Sequence, residues 1–278
     1  MLTALILYYN DPIYIRAAVS SVQSQTCSVD EILIVDNGST DGGLKYLKTK
    51  ANIRILRLDK NYPLGAARNK GLESVGTEFV AFLDSDDFWD ATKVEYLLPI
   101  IQDSECHFIH TNFKHVDYLG NVISEGQSGG LHGTCANQHY KLEPISIGPP
   151  STVLVRVQSL RQIGGFSNTL SVSADWDLNQ RIARNYPVQY VDKTLVNYRV
   201  HPNNMSKNVD LYYKEMKFAI YSNFNEFRLK KSDLRVSLSK LNLIMAGEKW
   251  NKRDFSFFKY LFISFFYDMR VLFGRVIN

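Results

Sequence analysis

A chain of 278 residues with 45% hydrophobic and 22% charged side chains has a globular composition, long enough for one large domain or a domain with an appendage. Three widely spaced cysteines, Cys27, Cys106 and Cys135, offer neither a disulfide framework nor a zinc-ligand pair, and a reducing cytoplasm fits them best. The net charge of +4 is uneven: from Arg228 onward 11 Lys and Arg stand against 4 Asp and Glu, a net +7, which leaves −3 for the residues before it.

The amino terminus enters a short apolar run, Leu2 to Tyr9, with no basic start and no small-residue cleavage site, so it reads as a first strand and not as a signal peptide. No uninterrupted apolar segment approaches the ~20 residues of a membrane-spanning helix. The strand ends at Tyr9-Asn10-Asp11-Pro12, and Pro12 suits the first position of a helix running to about Gln25, with Ile15, Val19 and Val22 facing a sheet. Glu31 to Val35 is a second buried strand, closing in the polar turn Asp36 to Asp41 before another helix. Ile53 to Leu58 is a third strand, and Asn61 to Gly65 leads into a helix carrying Ala66, Ala67, Arg68 and Asn69.

Phe79-Val80-Ala81-Phe82-Leu83 then reads as a strand buried on both faces that stops in Asp84-Ser85-Asp86-Asp87. Strands alternating with helices at this pitch call for an α/β fold with a mainly parallel sheet and right-handed crossovers. In such a sheet ligands bind beyond the carboxyl ends of the strands. Asp84 and Asp86 at that place make an oxygen-rich site suited to Mg²⁺ or Mn²⁺, which would hold a diphosphate. The plainer reading makes Asp86 or Asp87 the cap of a helix from Ala91 to Gln102. The metal reading gains from an absence: no Gly-x-Gly-x-x-Gly follows the first strand and no Walker-type Gly-x-x-x-x-Gly-Lys occurs, so no glycine loop cradles phosphates.

Cys106 to Phe113 is strand-like and precedes a hairpin around Tyr118-Leu119-Gly120-Asn121. His107, His110 and His115 match no metal-ligand spacing, and an extended segment splits them between faces, so structural roles are expected. Residues 126–133, rich in Gly and Ser, read as a loop. A strand from Thr152 to Val155 and a helix ending at Gly164-Gly165 follow. Asp175, in Ala174-Asp175-Trp176-Asp177, is either the cap of a helix through Arg184 or a general base for a substrate hydroxyl. Val188 to Val191 and Leu195 to Val200 are two further strands, and Asn203 to Lys207 is a linker to a helical end segment. That segment is basic and aromatic, as in the run from Phe255 to Tyr267, which suits either a membrane surface or packing on the main domain.

Taken together, these residues resemble the family 2 glycosyltransferases, whose catalytic domain has the GT-A fold. The resemblance spans most of residues 3–206. It rests on Tyr9-Asn10, Ser20 to Thr26, Glu31 to Asp41, Asn61 with Gly65 to Gly71, Leu83 to Trp89, Gly164-Gly165-Phe166, Asp175-Trp176-Asp177-Leu178 and Tyr198-Arg199-Val200-His201. It implies a catalytic domain over 1–205, with a nucleotide-binding half at 1–90 and an acceptor half at 91–205, and a C-terminal helical extension at 206–278. It further implies inverting transfer of a sugar from a nucleotide diphosphate sugar to a hydroxyl of a glycan or lipid-linked acceptor. Tyr9, Asn10, Asp11, Asp36, Asn37, Arg68, Asp84 and Ser85 would bind the nucleotide, Asp86 and His201 the Mn²⁺ or Mg²⁺, and Asp175 would be the base.

Two departures from the family pattern stand out. Ala174 occupies a position where many members are acidic, and Asn37 one where many have a second aspartate. The Asn37 amide oxygen still suits a uracil or thymine imide, so UDP- and dTDP-sugars both stay open. The implied location is the cytoplasm, at the inner face of a membrane if the end segment binds one. A catalytically silent sugar-nucleotide-binding or scaffold protein of the same fold is the alternative. A nucleotidyltransferase lacks its basic, glycine-rich loop here, and a nucleic-acid role finds no groove-reading pattern in the tail.

Overall fold

The computed structural model describes residues 1–47, 52–103, 105–126 and 129–274. Gln127 and Ser128 of the expected 126–133 loop lie outside the described residues, as do residues 48–51. The chain divides into two compact units: residues 1–135 with 147–202, and residues 136–146 with 203–278.

The first unit is built on a mixed sheet. The strands β1 (Leu2–Tyr8), β2 (Glu31–Asp36), β3 (Ile53–Arg57) and β4 (Phe79–Asp84) lie side by side in the order β3-β2-β1-β4, all parallel. β1 is buried along its whole length, as expected for a strand covered on both faces. Helix α1 (Ile15–Gln23) presents Ile15, Ala18, Val19 and Val22 to this core, and α2 (Leu64–Glu73) buries Ala67 and Leu72. α1 starts at Ile15, three residues after Pro12. Between β2 and β3, where a helix was expected, the described residues form a short 3₁₀ turn, Gly43–Tyr46.

Past β4 the pairing turns antiparallel. β5 (Phe88–Trp89) precedes α3 (Lys93–Ile101), β6 (Phe108–Val116) and its hairpin partner β7 (Val122–Ser124). A short helix, α4 (Ala136–Tyr140), belongs to the other unit. β8 (Leu154–Arg156) inserts antiparallel between β4 and β6, so β6 again runs with β4. Helices α5 (Val157–Gln162) and α6 (Ala174–Asn185) lead to β9 (Gln189–Arg199), which is parallel to β6 and pairs with β5. Six of the strands therefore point one way, a mainly parallel sheet. β9 is one strand where two were expected; polar, exposed Asp192, Lys193 and Thr194 interrupt its apolar pattern, and its register with β6 slips between Thr111 and Phe113.

The second unit comprises α7 (Val209–Phe227), α8 (Lys231–Asn251), α9 (Phe257–Tyr267) and α10 (Met269–Gly274) together with α4. Asn208 caps α7 by accepting the Leu211 N–H at 3.1 Å. The 136–146 segment is fastened there by hydrogen bonds: the Tyr140 hydroxyl donates to the Ile220 carbonyl at 3.1 Å and the Ser237 hydroxyl to the Tyr140 carbonyl at 2.8 Å. Ion pairs Lys141–Asp233 and Lys240–Glu143, at 3.1 and 3.0 Å, add to them.

Candidate active site

Parallel pairing in register brings the strand ends together. Leu7 lies opposite Asp84, and Tyr8 opposite Asp36, so Tyr9–Asp11, Asp36–Asn37 and Asp84–Asp86 leave the sheet at one edge. Two glycines allow the surrounding loops to close. Gly38 has φ +76°, and a Cβ there would meet the Lys60 carbonyl carbon at 2.4 Å; one on Gly65 would meet the Ser167 carbonyl oxygen at 2.1 Å.

At the β1 end Tyr9 is exposed. Asn10 adopts φ 46° and accepts the Thr40 N–H at 2.9 Å, tying that end to the turn after β2. Asp11 receives a long, 3.4 Å hydrogen bond from the Ser85 hydroxyl; burial, then the charge of Asp86, raise its pKa, while His201 opposes. Asp36 is buried and accepts the Ser39 N–H at 2.9 Å.

Asn37 corrects an expectation. It has no exposed surface, and its amide donates to the Asn61 side chain and the Tyr62 carbonyl, both at 2.9 Å, while its oxygen accepts the Tyr62 N–H at 2.9 Å. The oxygen offered to a base imide is spent inside the protein, and Asn37 instead fixes the loop that follows β3.

Arg68, on α2, is buried and donates to Asp84 at 2.6 Å, with its guanidinium 5.5 Å from the Phe166 ring centre. Burial still holds the Asp84 carboxyl above its usual pKa, against the pull of Arg68 and with a further push from Asp86. Asp175 is not the cap of α6. Ser173 holds that position, and Asp175 sits in the first turn, accepting the Trp176 N–H at 2.8 Å. Burial raises its pKa, Arg68 lowers it and Asp84 raises it, so these three side chains form one electrostatic group.

Asp86 and His201 meet at 3.0 Å, and the His201 ring lies 5.1 Å from that of Tyr14. Among the described residues no group of three or more His, Cys, Asp or Glu side chains is arranged to hold a metal. A carboxylate with an imidazole is nonetheless a donor set that Mg²⁺ or Mn²⁺ accepts when substrate phosphates complete the shell. The three histidines of β6 and its approach have separate partners, Ser159 for His107, Leu131 and Gly148 for His110, and Ser124 for His115, in line with structural roles.

The family model described as glycosyl transferase family 2 matches residues 3–164, more than half of the chain. The chain belongs to glycosyl transferase family 2. An uncharacterized glycosyltransferase of Rickettsia conorii is 28% identical over 270 residues, covering 93% of this chain and 44% of that protein. A putative teichuronic acid biosynthesis glycosyltransferase, TuaG of Bacillus subtilis, is 38% identical over 121 residues, 42% of this chain and 48% of that one. The chain thus spans about half the length of curated relatives it matches. Its fold matches the crystal structure of S. aureus TarS 1-349 in complex with UDP-GlcNAc, with a TM-score of 0.68 and 20% identity over 87% of this chain and 71% of that one. The architecture is accordingly the GT-A fold with C-terminal helices.

Three residues of this family 2 domain escaped the sequence-based assignment. Asp87 is buried and accepts the Ser151 hydroxyl at 2.6 Å and the Arg199 N–H at 2.9 Å. Ser151 in turn accepts the Asp84 N–H at 3.1 Å, and the Arg199 guanidinium donates to the Asp86 carbonyl at 2.8 Å. This network joins the end of β4 to the end of β9, and so sets Asp86 against His201. Burial, then the charges of Asp86 and Asp84, push the Asp87 carboxyl well above its usual pKa. Neither Asp86 nor Asp87 caps α3: Thr92 holds that position, and Asp90 accepts the Thr92 N–H at 3.0 Å ahead of it.

Proposed function

We propose that this chain is the catalytic part of an inverting, metal-dependent glycosyltransferase that moves a sugar from a UDP- or dTDP-sugar to a hydroxyl of a glycan or lipid-linked acceptor. The observation that carries the reading is the grouping of Arg68, Asp84 and Asp175 at the edge of the sheet that also carries the Asp86–His201 pair. Family membership supports the reaction class, and the TarS complexes with UDP-GlcNAc and UDP support a nucleotide-sugar donor.

In this reading Tyr9, Asn10, Asp11, Asp36 and Ser85 bind the nucleoside, and Asn37 acts by holding Asn61 and Tyr62 in place. Arg68 holds Asp84 toward the ribose. Asp86 and His201 are the residues that would hold Mn²⁺ or Mg²⁺, whose chemistry is Lewis-acid stabilisation of the charge developing on the leaving diphosphate. Asp175 removes the proton from the acceptor hydroxyl. The acceptor oxygen forms its bond to the anomeric carbon as the bond to the diphosphate breaks, and the electron pair leaves with the diphosphate. Attack on the face opposite the leaving group inverts the anomeric carbon. Burial of Asp175 moves its pKa toward the operating pH, which improves a general base as long as Arg68 keeps it ionised. The free Cys27, Cys106 and Cys135 suit a cytoplasmic location, where nucleotide sugars are available.

The test needs no acceptor. Titration calorimetry of UDP and dTDP with and without Mn²⁺, followed by assays of donor-sugar hydrolysis, should give metal-dependent binding of one nucleotide and slow hydrolysis of its sugar. Asp175→Asn should leave that binding within about threefold while turnover falls ~10²–10⁴-fold. Binding with no hydrolysis of any donor would favour the silent protein, and a variant retaining most of its turnover would remove Asp175 as the base.

A further inference from the structure

Helix α9 is largely apolar, with Lys259 its one charged residue, yet one of its faces is uncovered. Phe257 and Ser264 are buried and mark the inward side. At 100° per residue, Phe258, Phe262, Phe265 and Phe266 fall within a single stripe about 100° wide that runs from the flank, at Phe265, to the side opposite, at Phe266. They keep 62, 64, 38 and 65% of their surface in water. Phe255, Trp250 and Met269, at 81, 64 and 51%, extend the exposed apolar residues at either end of the helix. With ~200 Å² for each such side chain, the four phenylalanines of the stripe expose roughly 450 Å² of apolar surface, the size of the largest and often functional patch on a typical monomer, ~300–600 Å².

The exposed charge flanking this stripe is mainly positive. Lys252, Arg253 and Lys259 are exposed and, among the described residues, engaged in no ion pair. Of the nearby acids, Asp254 faces Lys249 at 3.4 Å, a lysine it shares with Asp210 at 3.2 Å, and buried Asp268 faces Arg270 at 2.7 Å. A second protein offering an apolar surface would not by itself call for those cations. An anionic lipid surface calls for both features, acyl chains for the phenylalanines and head-group phosphates for the lysines and arginines. The helix is too short for anything deeper. Eleven residues rise ~16 Å against a hydrocarbon core of ~30 Å, and no helix of the described residues is long and apolar enough to cross a membrane.

We propose that α9 and the turn before it form a membrane-docking surface, with Phe258, Phe262 and Phe266 inserted among the acyl chains of an anionic bilayer and Lys252, Arg253 and Lys259 at its head groups. Docking is read without donor, metal or acceptor, so its failure and the failure of the transferase reading are separate results.

The experiment is co-sedimentation of the full chain with vesicles of phosphatidylcholine alone or mixed 1:1 with phosphatidylglycerol, with light scattering to report the oligomeric state. The parent should bind the mixed vesicles at least tenfold more tightly than the neutral ones, and added salt should weaken that binding. Phe258→Ser/Phe262→Ser/Phe266→Ser should bind the mixed vesicles at least tenfold more weakly. Lys252→Glu/Lys259→Glu, at two exposed positions, should weaken binding by about fivefold or more per charge removed, from ~1 kcal/mol per cation near an anionic surface, with no change on neutral vesicles. Thermal melts establish that each variant is folded. No binding of the folded parent to mixed vesicles overturns the proposal. So does a dimer of the parent that the serine variant dissolves while vesicle binding stays unchanged, because a second copy then covers the stripe.

Discussion

Arg68→Met isolates the cation that Asp84 and Asp175 share. The replacement keeps the length and apolar stem of the side chain and removes its charge. A contact of 2.6 Å puts the Arg68 and Asp84 charge centres about 4 Å apart, worth ~4 kcal/mol at an effective dielectric constant of ~20. Removing one member of a buried pair typically costs ~3–5 kcal/mol; here the Asp84 side chain keeps 30% of its surface, so water returns part of it and ~2–4 kcal/mol is expected. The loss should depend on pH with a definite sign. Asp84 already has a raised pKa, and without Arg68 it rises further, so ionising Asp84 costs the folded variant more than the parent. A carboxyl with a raised folded-state pKa contributes stability that is fully present below its unfolded value and is lost as pH rises through the folded one. The deficit in urea unfolding should therefore be largest near pH 7 and shrink toward pH 4. In kinetics, loss of the same cation raises the Asp175 pKa, and the acidic limb of the kcat/KM profile should move to higher pH. A stability deficit that is the same at both pH values, with the acidic limb unmoved, would mean that Arg68 acts by packing against Phe166.

The metal pair, the buried aspartate and the buried histidine each give a separate prediction. Asp86→Ala should abolish the Mn²⁺-dependent part of nucleotide affinity, and equal affinity with and without Mn²⁺ in parent and variant alike would refute the pair as a metal site. Asp87→Ala leaves the Ser151 hydroxyl and the Arg199 N–H buried without their acceptor, at ~1–3 kcal/mol each; urea unfolding within ~0.5 kcal/mol of the parent would show that the network carries no load. His110 is buried, donates from Nε2 to the Leu131 carbonyl and accepts the Gly148 N–H on Nδ1, a neutral ring whose pKa burial lowers from 6.5 to about 4. Its depressed pKa contributes stability present above pH ~6.5 and lost as pH falls toward ~4, roughly 3 kcal/mol in all, so His110→Gln should flatten the unfolding free energy over that window.

The strands were legible because burial on both faces of a parallel sheet leaves an apolar run and little else. β1, β2 and β4 each end in polar residues within one position of the expected place, and the alternation with helices implies that their ends share an edge. Partition of function within a cluster was not legible. Asp84, Asp86 and Asp87 are the same residue type within four positions, yet one pairs with Arg68, one with His201, and one is enclosed by Ser151 and Arg199, whose positions lie 64 and 112 residues away. Asn37 was misread for the same reason, since the groups that saturate its amide arrive with the loop after β3.

Long-range partners thus decide which polar residues of this domain are exposed to substrate and which are consumed in holding the edge. The polar residues divide by burial. Those with no surface left, Asn37 and Asp87, make hydrogen bonds that join separate strand ends, whereas those that keep some surface, Tyr9, Asp84, Asp86 and Asp175, are the ones available to a ligand. A substitution of the first kind should therefore register first in unfolding, and one of the second kind first in binding or turnover. Asp87→Ala and Asp86→Ala, at adjacent positions, set the two behaviours side by side: the former should lower stability by several kcal/mol, and the latter should leave unfolding almost unchanged while nucleotide binding loses its response to Mn²⁺.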